Sequence, residues 1–245
     1  MYDDRQFLEG SRPKEVIMET KGTYYKDITA LQDLGKEEYQ TMYSPFYNLA
    51  HKTKHELGTG TGCFKDKRTA AEHELIHPEM MRFQVSKEVM EFDAPADKYF
   101  YEAEKPLSEQ NDYIKNCIFD SYSLQVLFQF EFRKLNAVIE KKISDENITD
   151  TKAFIAEEYN KFYDKKKKIL LQLKDGKEFI DFITEQTATH NKDISSAFIC
   201  WTGIYGMKTN DKNCEFEYLL FDYTEHACST NIFAFNKNTN EEFKE

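Results

Sequence analysis

The sequence predicts an α+β protein in which helices precede a C-terminal antiparallel β-meander. Three observations lead to this class. All five prolines lie at or before residue 106. Between residues 150 and 183, apolar side chains recur every three or four residues, which is the helical period. The last fifty residues hold short apolar runs separated by turn-forming residues. Helices followed by strands, without alternating βαβ units, are typical of α+β folds.

Residues 1–106 form the first part of the chain, an irregular region that we call the arm. It holds every proline and six of the nine glycines. Because proline removes a hydrogen-bond donor and glycine permits turns, we expect short helices near 27–43, 66–77 and 84–92, joined by extended segments. Isolated aromatic residues punctuate the arm: Tyr24, Tyr25, Tyr39, Tyr43, Phe46 and Tyr47. These side chains either dock on another protein or pack back on the second part of the chain.

Residues 107–236 are predicted to form the α+β core. From Leu124 to Phe132 apolar and polar residues alternate as in a strand, but the stretch contains few turn residues, which favours a helix over 108–143. Asp150 can cap the next helix, which ends near Asp175-Gly176, where a further helix follows.

The end of the core is predicted to be the meander. Strands are expected over 196–205, 214–223 and 231–235, with the turn-rich run 207–213 between the first two. The remaining residues, 237–245, read as a polar tail.

Composition excludes several classes of function. The formal net charge is −11, and the only basic run, Lys165 to Lys168, reads as a solvated helix face, so nucleic-acid binding is not expected. The chain holds 20 Phe and 15 Tyr, enough to build an aromatic core although the hydrophobic fraction is only 40%. No apolar run approaches the length of a membrane span, so membrane insertion is not expected either.

Cysteine usage and the first residues indicate the compartment. Five cysteines, an odd and scattered set, do not fit a disulfide framework. No basic region followed by an apolar stretch comes after Met1, so secretion is not expected. The sequence therefore predicts an intracellular, reducing compartment: cytoplasm, organelle interior or virion.

Four of the six histidines fall between residues 51 and 77, in two pairs spaced by four. On a helix such pairs share a face and could present two imidazoles to one ion. The candidate metal ligands are His51, His55, Cys63, His73 and His77. Zinc is the cofactor that these donors would suit, and a zinc ion would hold together a segment with little core of its own.

The second pair carries a motif. His73-Glu74-Leu75-Ile76-His77 satisfies H-E-x-x-H and resembles the zincin metallopeptidase motif over five residues. The resemblance implies that His73 and His77 bind zinc and that Glu74 is the catalytic base. Pro78 follows directly and disfavours helical geometry at His77, whereas the motif needs a continuous helix.

The sequence favours a non-catalytic structural or accessory subunit of a larger protein assembly, with other protein subunits as partners. The arm would dock on neighbours and the core would fold by itself, and no cofactor is then required. The alternative is a zinc-binding protein or a zinc-dependent hydrolase that uses the motif from His73 to His77.

Overall fold

The computed structural model describes residues 21–27, 53–72, 86–146, 148–187, 191–214, 216–221 and 228–236, together with Thr239 and Glu242. These residues form seven α-helices and eight β-strands. The predicted α+β class is confirmed. The helix predicted near 27–43 lies outside the described residues, except for Asp27. The C-terminal half of the helix predicted over 66–77 also lies outside them.

The strands form two sheets. The strands are β1 (Lys21–Asp27), β2 (Thr53–His55), β3 (Gly58–Cys63), β4 (Ser86–Pro95), β5 (Phe100–Glu102), β6 (Gly206–Lys208), β7 (Tyr218–Phe221) and β8 (Cys228–Asn236). The first sheet is antiparallel, in the order β1-β4-β8. The second has the order β2-β3-β7-β6-β5 and is mixed, because β5 and β6 run parallel. Each sheet contains strands from before and from after residue 106. The domain boundary near residue 106 stays a prediction.

Most of the helices begin at a short polar side chain that caps them. They are α1 (Lys67–Glu72), α2 (Asp112–Phe119), α3 (Ser121–Leu127), α4 (Gln129–Asp145), α5 (Thr151–Leu170), α6 (Gly176–Gln186) and α7 (Lys192–Thr202). Five of them start after an Asn or Asp whose side chain accepts a backbone N–H: Asn111, Asp120, Asp150, Asp175 and Asn191. Each cap satisfies a donor that the first turn leaves open.

The stretch 108–143 is mainly helical, as the sequence favours, but it forms three α-helices instead of one. Asp120 ends α2 and its side chain accepts the Tyr122 N–H at 3.1 Å, so the same residue begins α3. Phe128, with φ −107° and ψ 33°, separates α3 from α4.

The predicted meander is not found among the described residues. Residues 196–202 belong to α7, and the strand predicted over 231–235 lies in β8, which pairs with β4 in the other sheet. The strand predicted over 214–223 is shortened to β7, so β7 and β8 are both strands but belong to different sheets. A continuous apolar run fits a buried helix as well as a buried strand, which is why periodicity alone misassigned 196–205. The helix predicted near 84–92 is likewise wrong, because this segment is β4.

The glycine-rich stretch Gly58-Thr59-Gly60-Thr61-Gly62 lies in the buried strand β3. It lies between β2 and β7 in the second sheet. A Cβ atom on Gly60 would lie 2.2 Å from the Leu220 carbonyl oxygen of β7. The glycine therefore permits a close approach of two backbones.

Aromatic side chains fill the core between the second sheet and the helices. Tyr101 stacks on Phe179 of α6 with ring centroids 4.8 Å apart. Tyr24 of β1 is fully buried and packs edge-on against Tyr218 of β7, 5.0 Å away. The described part of the arm that carries Tyr24 thus packs back on the second part of the chain.

Helices α4 and α5 form an antiparallel pair, residues 129–170, that we call the hairpin. Tyr159 donates a hydrogen bond to Asn136 Oδ1 at 2.9 Å, and its ring packs on Phe132. Lys166, in the basic run predicted to be a solvated face, is instead buried and forms an ion pair with Glu131. Among the described helices, none is both long and apolar enough to cross a membrane.

Candidate functional site

The structure places only two of the predicted metal ligands. His55 ends β2 and is half-buried, whereas Cys63 ends β3 and is buried in the core. His51, His73, Glu74 and His77 lie outside the described residues. Within the described ranges no three metal-binding side chains come together. The zinc site therefore stays a prediction.

A cleft of about 760 Å³ opens beside the end of β3, and we take it as the candidate site. The end of β3, the short 3₁₀ turn at Asp97–Tyr99, the loop from Thr209 to Cys214 and the start of β7 form its walls. Its lining is Phe64, Lys65, Thr69, Asp97, Lys208, Thr209, Asn210, Asp211, Lys212, Cys214, Phe216, Glu217 and Tyr218. The lining contains three lysines and three carboxylates, so its charge is balanced, and three aromatic rings supply apolar surface.

Hydrogen bonds fix the loop from Thr209 to Cys214. The Glu104 carboxylate accepts from the Thr209 hydroxyl and from the Asn210 N–H, the latter at 2.9 Å. The Asp211 side chain accepts the Asn213 N–H at 2.9 Å, and the Asp211 backbone carbonyl accepts the Cys214 N–H at 3.0 Å. Local bonds of this kind are why Asp and Asn favour turns, and here they set the position of the Cys214 thiol.

Cys214 lies next to His55. The Cys214 Sγ is 3.9 Å from His55 Nε2, and the imidazole packs edge-on against Phe216, with centroids 4.9 Å apart. On the other side of the ring, Nδ1 accepts the backbone N–H of Leu57 at 3.2 Å. A neutral imidazole that accepts at Nδ1 carries its proton on Nε2, so the ring donates towards the sulfur.

An ionic and aromatic cluster forms the opposite wall. Lys65 Nζ is 3.0 Å from Asp97 Oδ1 and lies 3.7 Å from the ring centroid of Tyr24. The Tyr218 hydroxyl donates to Asp97 Oδ2 at 3.1 Å. The cation therefore has a carboxylate on one side and an aromatic face on the other, an arrangement that holds Lys65 in place.

Burial and charge set the protonation of this cluster. Burial would raise the pKa of the Asp97 carboxyl. The hydrogen bond and charge of Lys65, the Tyr218 hydroxyl and the charge of Lys208 together outweigh burial and hold this pKa below its usual value. Burial, and then the charge of Asp97, raises the pKa of both the Tyr24 and the Tyr218 phenol. The phenols therefore remain protonated and act as hydrogen-bond donors.

No pattern in the sequence points to the Cys214–His55 pair. Cys214 and His55 are 159 residues apart. No local spacing signals such a pair, because it depends on β2 and β7 both packing beside β3.

The chain matches no protein-family model, no curated protein and no solved structure.

Proposed function

We propose that this chain is a non-catalytic structural or accessory subunit of a larger protein assembly. Its partners would be other protein subunits in a reducing intracellular compartment, as the odd, scattered cysteines favour. The single observation that supports the proposal best is the exposed apolar surface of the hairpin. The aromatic residues of the arm that lie outside the described ranges remain a second proposed docking element.

The hairpin buries little of its own apolar surface. Of the 37 residues in its two helices, three are fully buried: Ile139, Lys166 and Leu170. Phe130 is 54% exposed and Val138 is 50% exposed, both on α4. This exposed apolar surface on α4 supports the proposal that another protein covers it.

Charge indicates which partner the hairpin suits. Residues 129–170 contain ten Lys and Arg against eight Asp and Glu, a net charge of +2, whereas the whole chain carries −11. The rest of the chain therefore carries −13. A second copy of the chain suits this charge distribution, because the positively charged hairpin of one copy would face the acidic remainder of the other. We propose that the assembly includes contacts of this kind.

Sedimentation velocity of the purified chain over a range of concentrations tests this proposal. We expect concentration-dependent association that weakens at high salt, since opposite charges on the surface are screened. The double variant Phe130→Ser, Val138→Ser should be monomeric, because it removes the apolar part of the contact without disturbing a buried residue. Leu171→Ser is the matched control, as this exposed leucine follows α5 and lies outside the hairpin.

A wild-type chain that stays monomeric at every concentration and salt would overturn the proposed hairpin contact. Equal association of the double variant and the wild-type chain would overturn the assignment of Phe130 and Val138.

The alternative proposal is zinc binding, with or without hydrolysis, through His73 and His77 and with Glu74 as base. The observation in its favour is that His55, from the same histidine-rich stretch, lies beside the Cys214 thiol, so two donors of the types zinc prefers are adjacent. Elemental mass spectrometry of the chain, purified without chelator or histidine tag, should then find about one zinc per chain. Replacement of His73 or His77 by Ala should remove the metal, and a metal-free wild-type chain would contradict the alternative.

A further inference from the structure

We propose that the outer face of α4 docks on the outer face of α6 of a second copy of this chain, and this inference rests on the proposed contact between copies. The outer face of α4 is defined by four exposed side chains at spacings of four, four and three residues: Phe130, Lys134, Val138 and Lys141. Such spacings keep side chains on one side of a helix. The buried Ile139 lies on the opposite side.

This face offers two cations that the fold itself does not use. The ammonium groups of Lys134 and Lys141 form no ion pair with any residue in the described part of the chain. The two lysines are two helical turns apart, about 10.5 Å, and Val138 lies between them. A matching surface therefore has carboxylates about two turns apart, with apolar surface between them.

Helix α6 carries such a surface. Among the described α-helices outside the hairpin, α6 has three carboxylates and each of the others has one or none. The outer face of α6 is defined by these acids, Glu178, Asp181 and Glu185, which share one side because their spacings are three and four residues. Fully buried residues of the helix, such as Phe179 and Ile183, occupy the opposite side. The acidic side of α6 therefore faces solvent.

The spacing on α6 matches the spacing on α4. Glu178 and Glu185 are seven residues apart, as are the two lysines of the α4 face. Phe182 lies between the two glutamates and is half-buried, so part of its ring is open to a partner. It would meet the valine between the lysines. Two ion pairs and one apolar contact can therefore form at the same time.

The existing ion pairs of α6 leave this face available. Glu185 is exposed and pairs with no residue that the structure describes. Glu178 is 3.1 Å from Lys174, whose side chain is 80% exposed, and Asp181 is 3.2 Å from Lys192. Ion pairs this open to solvent contribute little to stability, so the carboxylates can exchange them for the lysines of a second copy.

Charge reversal on each helix tests the pairing. The α4 variant is Lys134→Glu, Lys141→Glu, and the α6 variant is Asp181→Lys, Glu185→Lys. Glu178 is kept because its carboxylate accepts a backbone N–H at the start of the helix. Each variant alone brings like charges together, so we expect its dissociation constant in sedimentation velocity to rise at least about tenfold. An equimolar mixture of the two variants should associate as the wild-type chain does, because opposite charges face each other again.

Lys165→Glu, Lys168→Glu is the matched control. It makes the same change in charge as the α4 variant, at two exposed lysines of α5 in the same hairpin. The control should keep most of the wild-type affinity, and an equal loss in the control would overturn the assignment to α4. A mixture that stays dissociated, although circular dichroism shows both variants to be folded, would overturn the pairing.

The wild-type chain separates this inference from the function on which it rests. A wild-type chain that is monomeric at every concentration would overturn both the contact between copies and the pairing of α4 with α6. If the wild-type chain associates and both charge-reversed variants associate equally well, only the pairing is overturned, and the contact between copies involves another surface.

Discussion

Replacing Gly60 by alanine is expected to destabilise the protein by at least about 3 kcal/mol, or to prevent folding. The new Cβ would lie 2.2 Å from the Leu220 carbonyl oxygen and 2.8 Å from its carbon, both in the backbone of β7. A backbone cannot rotate away as a side chain can, so β3 and β7 would have to separate. Because β7 also pairs with β6, the strain would spread through the second sheet. Urea unfolding followed by far-UV circular dichroism measures the loss.

Gly62→Ala is the matched control, since it adds the same methyl group to the same strand. There the Cβ would meet only side-chain atoms of Phe216, the nearest at 3.1 Å. A small shift of this ring relieves the contact, so we expect a loss of about 1 kcal/mol. Equal losses for the two variants would show that the close approach of β3 to β7 does not set the requirement for glycine.

The second large effect is expected for Phe179→Ala, which should lower the free energy of unfolding by about 3–5 kcal/mol. Phe179 of α6 is fully buried and stacks on Tyr101 next to the parallel pair β5–β6. Its removal leaves a cavity that the surrounding rings cannot fill without leaving their own contacts. Thermal and urea unfolding of the variant both report this change.

Phe130→Ala removes the same atoms from an exposed site and serves as the comparison. Because the Phe130 side chain is half open to solvent, its truncation should change the free energy of unfolding by less than about 0.5 kcal/mol. If Phe130→Ala destabilises the isolated chain as much as Phe179→Ala does, the hairpin surface is part of the fold and is not free to bind another subunit.

Local polar signals predicted helix starts well. Asp150 caps α5, as its position before an apolar period indicates. Asp175, which the sequence predicts only as the end of the preceding helix, caps α6. Asn191 caps α7 in the same way, and Gly203 ends it with φ 104°, yet the sequence predicts a strand over 196–205. Capping is a local interaction and can be read from neighbouring residues, whereas the pairing partner of a buried apolar run is not local.

The meander illustrates the same limit. Both β7 and β8 are short apolar segments near the end of the chain, and as a sequence they suit neighbouring strands. The structure assigns β7 to a sheet with β3 and β6, and β8 to a sheet with β4. Strands β3 and β4 lie more than a hundred residues before β7 and β8, and such distant partners leave no periodic signal, because period 2 records only which faces are buried.

The candidate site depends on tertiary structure even more strongly. His55 is predicted from sequence only as a candidate metal ligand, and nothing in the residues around Cys214 distinguishes that cysteine. Packing of β2 and β7 on either side of β3 brings them within 3.9 Å. Lys65, which follows β3, and Asp97, which begins the 3₁₀ turn, likewise come together only in the folded chain.

The sequence by itself determined the α+β class, the cap that begins α5 and the acidic charge, because each follows from composition or from residues a few positions apart. Only the tertiary structure decided that the glycine-rich stretch is a buried strand, that 196–202 is a helix and that Cys214 lies beside His55. These features arise from contacts between distant segments, and their free energy comes from close packing that no short stretch of sequence records.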